Sequence, residues 1–274
     1  MKQSKINTNQ LRAVLTKQER PEPPNPLYAI TTFSWRALLK IKRHPEQLLD
    51  VAALPILFLL MFTYLFGGAI AGSSREYLQF ILPGILVQTV TQITMYTGMD
   101  LNKDIQKGFF DRLRTLPIWL PSSLLGSLLV DSFRYLIAST VMVSFSLLLG
   151  FRPQGGVVGV ISAIALILVF CFSLSWVWNT LALLMRSEQS LMMLSMMVIF
   201  PLTFLSSAFV DPTTMPTFLE NVVKYNPVSI LVDAVRGLMH GNVELANIGL
   251  VFLSSVIIII IFAPLTLFLY RRRK

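Results

Sequence analysis

Six stretches of this chain stay apolar long enough to cross a lipid bilayer. A bilayer core of about 30 Å takes roughly 20 consecutive, mainly apolar helical residues at about 1.5 Å each. The runs are Leu48–Ile70, Tyr77–Met99, Ser132–Gly150, Val157–Met185, Leu191–Val210 and Ile248–Tyr270. The fourth and fifth are parted by Arg186, Ser187, Glu188 and Gln189. This pattern predicts an all-α integral membrane protein with six transmembrane helices.

Other segments repeat at helical spacing without being long enough to span. Between Leu27 and Arg43, the residues Leu27, Ile30, Phe33, Leu38 and Ile41 fall on one side of a helix, with Arg36, Lys40 and Arg43 on another. That describes an amphipathic helix on the inner leaflet, carrying Phe33 and Trp35, with its apolar face among acyl chains, the cations at headgroups, and Pro45 as its end. Between spans five and six, 211–244 holds two short patterns: Met215, Phe218, Leu219, Val222, Val223, then Leu231, Ala234, Val235, Leu238, with Asn226-Pro227 as the turn. Too short to cross, they predict outer-leaflet helices over the spans, as an external gate or as plain packing. The loop 100–117 alternates four cations and three carboxylates with Ile105, Phe109, Phe110, Leu113 and Leu116. Apolar residues ringed by charge predict a docking surface for a cytoplasmic partner.

Composition supports lipid as the solvent. The chain has 274 residues, 54% hydrophobic and 14% charged, with mean hydropathy +0.66, too apolar for an ordinary soluble domain. Residues 1–26 form a polar, basic, proline-rich tail without the apolar core of a signal peptide. The one cysteine, Cys171, falls in the fourth run, so no disulfide is expected.

Charge sets the orientation. With both termini cytoplasmic, 18 of the 23 Lys and Arg residues lie inside; Arg75, Arg152, Lys224 and Arg236 lie outside and Arg134 lies in a span. The positive-inside rule therefore predicts a multi-pass protein of the cell membrane with cytoplasmic termini. The net charge of +9 follows from that topology, and basic residues spread over one membrane face give no nucleic-acid groove.

Candidate chemistry is sparse. No phosphate loop occurs, because Gly108 follows Lys107 instead of preceding a lysine. His44 and His240 fall on opposite sides of the membrane and cannot share a metal. No covalent chemistry, catalytic residue or metal site is expected on this polypeptide. Asp131 and Arg134, spaced i, i+3, form a candidate intramembrane ion pair near the inner end of the third helix. The second span carries Gln88, Thr91 and Gln92 among its polar residues, and the fifth carries Met196, Phe200 and Phe204 in a deformable aromatic surface. Helix packing explains either set alone; together they nominate the two spans as walls of a pathway.

The order of parts resembles the type-2 membrane subunit of ATP-binding-cassette exporters, in particular the daunorubicin-resistance permease branch, from about Asn25 onward. The stretch Gly108-Phe109-Phe110-Asp111-Arg112-Leu113-Arg114-Thr115-Leu116-Pro117 is similar to that family's coupling segment. So is the run from Phe204 through Ser206-Ser207-Ala208-Phe209, Met215-Pro216 and Asn226-Pro227 to Asp233 and Arg236. The chain departs in having Gln106-Lys107-Gly108-Phe109 where many relatives begin the docking loop with a Glu-x-Gly-Thr-like sequence. The resemblance implies a type-2 permease domain over 27–274, with interfacial helix 27–43 and ATPase-coupling segment 100–117. Its coupling residues would be Lys103, Asp104, Lys107, Gly108, Phe109, Phe110, Asp111, Arg112, Leu113, Arg114, Leu116 and Pro117. Asn226, Pro227, Asp233 and Arg236 would belong to the external gate. It further implies two copies of a cytoplasmic ATPase subunit that hold the ATP and Mg, a second permease copy, and outward movement of an amphipathic drug or antibiotic. A lipid or lipid-linked glycan is the alternative cargo. An ion-gradient carrier would need a broken helix with ion ligands and repeated halves, which the sequence does not display.

Overall fold

A computed structural model describes residues 25–43, 46–109, 121–210 and 212–272, with side chains at all of these except 40–43, 46–52 and 70–71. The elements are α1 Pro26–Arg43, α2 Glu46–Met61, α3 Gly67–Ala71, α4 Ser74–Gln106, α5 Pro121–Leu148, α6 Gly156–Leu184, α7 Glu188–Phe204, α8 Thr217–Tyr225, α9 Pro227–His240 and α10 Leu245–Arg272. No strand occurs among the described residues.

Four helices are long and apolar enough to cross a membrane: α4, α5, α6 and α10. The other two expected spans take different forms. A π-helical turn, Phe62–Phe66, interrupts the first between α2 and α3. Helical backbone nevertheless runs from Glu46 to Ala71, about 39 Å at the usual rise, before Gly72 stops it in the left-handed region at φ 73°. The fifth ends early. Helix α7 has 17 residues, about 25 Å, and 205–210 turn back beneath α9 instead of extending it.

Local chemistry sets the boundaries. Ser73 accepts from the Glu76 amide at 3.2 Å, the start of a capping box on α4. Ser187 accepts from the Ser190 amide at 3.2 Å and opens α7 within the charged break. Asn226 caps α9, with Pro227 at the first helical position where no amide proton is missed.

Helix α4 is the axis of the bundle, with α2, α5, α6, α7 and α9 packed around it, and α10 lies against α6. Two of its polar side chains, Thr94 and Thr97, bond to neighbouring helices. The Thr97 hydroxyl meets Tyr135 of α5 at 2.8 Å, Tyr135 meets Ser175 of α6 at 2.8 Å, and Trp178 Nε1 donates to Thr94 at 2.7 Å. Each bond joins two helices at a depth where water offers no substitute.

Helix α1 lies along the first half of α5. Phe33 and Ser34 press against Gly126, where an added Cβ would stand 2.7 Å from the Phe33 Cβ, and the Ser34 hydroxyl donates to the Gly126 carbonyl at 3.3 Å. The packed face is thus centred on Ala29, Ile30, Phe33 and Ser34. Leu27, expected on the same face, is 71% exposed, as are Tyr28 at 69% and Trp35 at 65%.

Candidate functional site

Contacts divide the bundle into two ends. At the first lie Arg36, Asn102, Lys103, Phe109, Ser123 and Tyr270; at the second lie Tyr77, Gly150, Phe209, Asn226 and Met239. Lys103 and Lys107 therefore stand at one end, and Arg152, Lys224 and Arg236 at the other.

At the first end, α1 and the tail of α4 meet. The Arg36 guanidinium sits 3.6 Å over the Phe109 ring, an arrangement favoured by the ring quadrupole. Asn102, fully buried, donates from Nδ2 to the Ala182 carbonyl at 2.9 Å and the Met185 carbonyl at 3.1 Å, satisfying the open end of α6. Next to it Lys103 pairs with Glu188, in the first turn of α7, at 2.8 Å. Of the expected coupling residues, Lys103, Asp104, Lys107, Gly108 and Phe109 are placed here. Phe110, Asp111, Arg112, Leu113, Arg114, Leu116 and Pro117 lie outside the described residues. Phe33, Trp35 and Arg36 of the interfacial set are placed on α1, while Lys40 and Arg43 have no described side chain.

A cavity of about 600 Å³ opens between α1, α4 and α5, lined by Trp35, Arg36, Asp100, Asp104, Lys107 and Arg134 among others. On its wall Arg134 lies 3.4 Å from Asp131 and 3.4 Å from Asp100. The sequence pattern found the i, i+3 partner and missed Asp100, which the helical register of α4 alone would have placed one turn above Lys103.

At the second end, α8 and α9 cover the bundle. The Ser207 hydroxyl donates to Asp233 at 2.8 Å, Arg236 donates to Asp233 at 3.0 Å and to the Ser207 carbonyl at 2.8 Å, and its guanidinium lies 4.2 Å over Phe80. Asn226 Nδ2 donates to the Leu202 and Leu205 carbonyls at 2.8 and 2.6 Å, and its Oδ1 accepts from the Val228 amide at 2.9 Å. Asn226, Pro227, Asp233 and Arg236 are thus gathered in one region. An open cavity of about 620 Å³ beside them is lined by Glu76, Phe80, Arg236 and His240.

The nominated pathway residues fall into two groups. Gln88 and Thr91 are buried within the protomer and Gln92 is half-buried, whereas Met196, Phe200 and Phe204 are exposed on its side. A ladder of rings runs through the second group. Phe200 stacks on Phe204 at 4.2 Å, Phe204 on Phe209 at 5.2 Å, and Phe209 meets Phe62 of the π turn at 5.2 Å. Phe62 was not singled out by sequence, and Phe209 was named only within the family-like block, because their meeting depends on the π turn and on the bend after α7.

Among the described residues no group of three His, Cys, Asp or Glu side chains could hold a metal. The family model described as ABC-2 type transporter matches residues 28–240. The "Daunorubicin resistance ABC transporter permease protein DrrB1" of Streptomyces coeruleorubidus is 47% identical over 267 residues, spanning 97% of this chain and 94% of its own. The "Putative transport permease ycf38" of Cyanophora paradoxa is 28% identical over 254 residues, with 86% of each chain covered. The "Probable doxorubicin resistance ABC transporter permease protein DrrC" of Mycobacterium tuberculosis is 25% identical over 240 residues, again with 86% of each covered.

Proposed function

The chain belongs to the ABC-2 type transporter family, and from that premise we propose that it is the membrane-spanning permease subunit of an ATP-driven exporter of amphipathic drugs. The observation that carries the reading is the 47% identity, over nearly the whole chain, to a permease named for daunorubicin resistance. In this reading the polypeptide crosses the cell membrane six times, with α2–α3 and α7 completing the four long spans, and both termini are cytoplasmic. The excess of Lys and Arg at the Lys103 end supports that orientation.

ATP and Mg are held by two copies of a separate cytoplasmic ATPase, whose closure displaces the segment 100–117 and tilts the spans. Nucleotide binds the two states of the complex differently, and that difference supplies the bias. A second permease copy completes the transporter. The exposed Met196, Phe200 and Phe204 of α7, with the ring ladder behind them, form the apolar surface that a planar cargo would meet. Gln88, Thr91 and Gln92 act behind that surface, tuning it from within the protomer.

Expression with the cognate ATPase in a drug-sensitive host tests the reading. Daunorubicin resistance and ATP-dependent loss of cell-associated drug are expected, and both should vanish when either subunit is omitted. Phe109→Asp should release the ATPase in a pull-down while the permease still inserts. A pair that hydrolyses ATP but protects against no amphipathic drug would favour a lipid or lipid-linked glycan as cargo.

A further inference from the structure

Helix α7 is held at both ends by side chains of other elements. At its inner end Glu188 pairs with Lys103, 2.8 Å away on α4, and the adjacent Asn102 ties down the carbonyls of Ala182 and Met185, immediately before the turn into α7. At its outer end the carbonyls of Leu202 and Leu205, left open where the helix stops, receive both protons of the Asn226 amide. The same amide accepts from Val228 and so begins α9. One side chain therefore joins the end of α7 to the start of α9.

Between those ends α7 is loosely held. Met193, Met197 and Phe200 are exposed, and only Leu191, Ser195, Ile199 and Thr203 are buried on its inward face. Its polar fastenings to other elements are therefore concentrated at its two tips.

We propose that α7 is a strut between the two faces of the membrane, pushed at Glu188 by Lys103 and pulling the outer helices α8 and α9 through Asn226, which makes Asn226 a positioning residue for export. This rests on the reading that an ATPase drives the chain from the Lys103 end. Asparagine is suited to the task because it gives two protons and accepts one. Aspartate would keep the cap on α9 and lose both bonds to α7.

Phe218, 78% exposed on α8, supplies a reporter. The full permease carrying Phe218→Cys, reconstituted with its ATPase, is labelled with a membrane-impermeant maleimide in the absence of nucleotide and after trapping with ATP and vanadate. A change in labelling rate of at least about threefold is expected in the parent. Asn226→Asp should reduce that change to under about 1.5-fold. Lys103→Glu should do the same, and the charge-exchanged pair Lys103→Glu with Glu188→Lys should restore it. A response that persists in Asn226→Asp, or that the exchanged pair fails to restore, overturns the strut. Should Asn226→Asp fail to insert, the exchanged pair decides alone. A parent with no nucleotide response refutes the energy-coupling reading itself, and the strut with it.

Discussion

Arg134 and Asp100 face each other across two helices, guanidinium to carboxylate at 3.4 Å, with Asp131 at 3.4 Å on the other side. Arg134 is more than nine-tenths buried, so its charge depends on those two partners for solvation. Removing one member of a buried pair leaves an uncompensated charge, at about 3–5 kcal/mol. Arg134→Leu removes the cation set between two carboxylates and should lower stability by about 3 kcal/mol. Asp100→Asn should cost less, because Asp131 remains. Thermal unfolding in detergent, read by loss of the monodisperse peak, measures both. Equal melting of Arg134→Leu and the parent would show that the triad carries no structural load.

Much of this architecture was legible in the chain, for identifiable reasons. The helices α4, α5, α6 and α10 coincide with long apolar runs because lipid demands both length and apolarity of a spanning helix. The patterns at 215–223 and 231–238 coincide with α8 and α9, whose Leu231, Ala234, Val235 and Leu238 are all buried. Hydropathy could not see the π turn at Phe62–Phe66, since a wider turn changes hydrogen bonding and leaves composition alone. Nor could it end α7 at Phe204, since four of the six residues at 205–210 are apolar although the segment folds under α9. The polar residues of the second span were readable as facing protein. Their direction into the protomer was not, because it depends on which neighbours surround α4.

The Tyr135 hydroxyl sits in a chain whose direction is fixed at one end. Ser175 donates its single proton to the Cys171 carbonyl at 2.8 Å. Tyr135 therefore donates to Ser175 and accepts from Thr97, both at 2.8 Å. Interhelical bonds of this kind average about 0.6 kcal/mol and reach about 1.7 kcal/mol. Tyr135→Phe should thus cost about 1–2 kcal/mol, against about 3–5 kcal/mol for Tyr135→Ala, which also empties a buried ring site. Thermal unfolding of the two variants checks the ratio, and equal losses would assign the whole effect to the hydroxyl network.

Two glycines separate close approach from helix propensity. A Cβ on Gly84 of α4 would stand 2.1 Å from the Ala208 carbonyl oxygen, in the turn beneath α9, and neither backbone can yield independently. A Cβ on Gly68 meets nothing within 4 Å. Gly84→Ala should cost about 1–3 kcal/mol by overpacking, while Gly68→Ala should be neutral or gain up to about 1 kcal/mol. Because Gly84 holds α4 against the segment joining α7 to α9, its variant should also lower export per ATP hydrolysed. Normal coupling in a variant that is destabilised would remove Gly84 from the outer assembly.

The proposed six-span topology makes the sharpest demand on the chain. Lys107 ends α4 and Lys224 lies in the last turn of α8, at opposite ends of the bundle. With the lone native thiol, Cys171, fully buried, a cysteine introduced at either position reports its own surroundings. In intact cells Lys224→Cys should react with a membrane-impermeant maleimide, and Lys107→Cys should react only after the membrane is opened. An odd number of crossings between the two positions puts them on opposite sides: α5, α6 and α7 are three. If α7, with its 17 residues, entered and left by the same face, both cysteines would label from one side. That outcome would put α8 and α9 on the same face as Lys107 and overturn the proposed external gate.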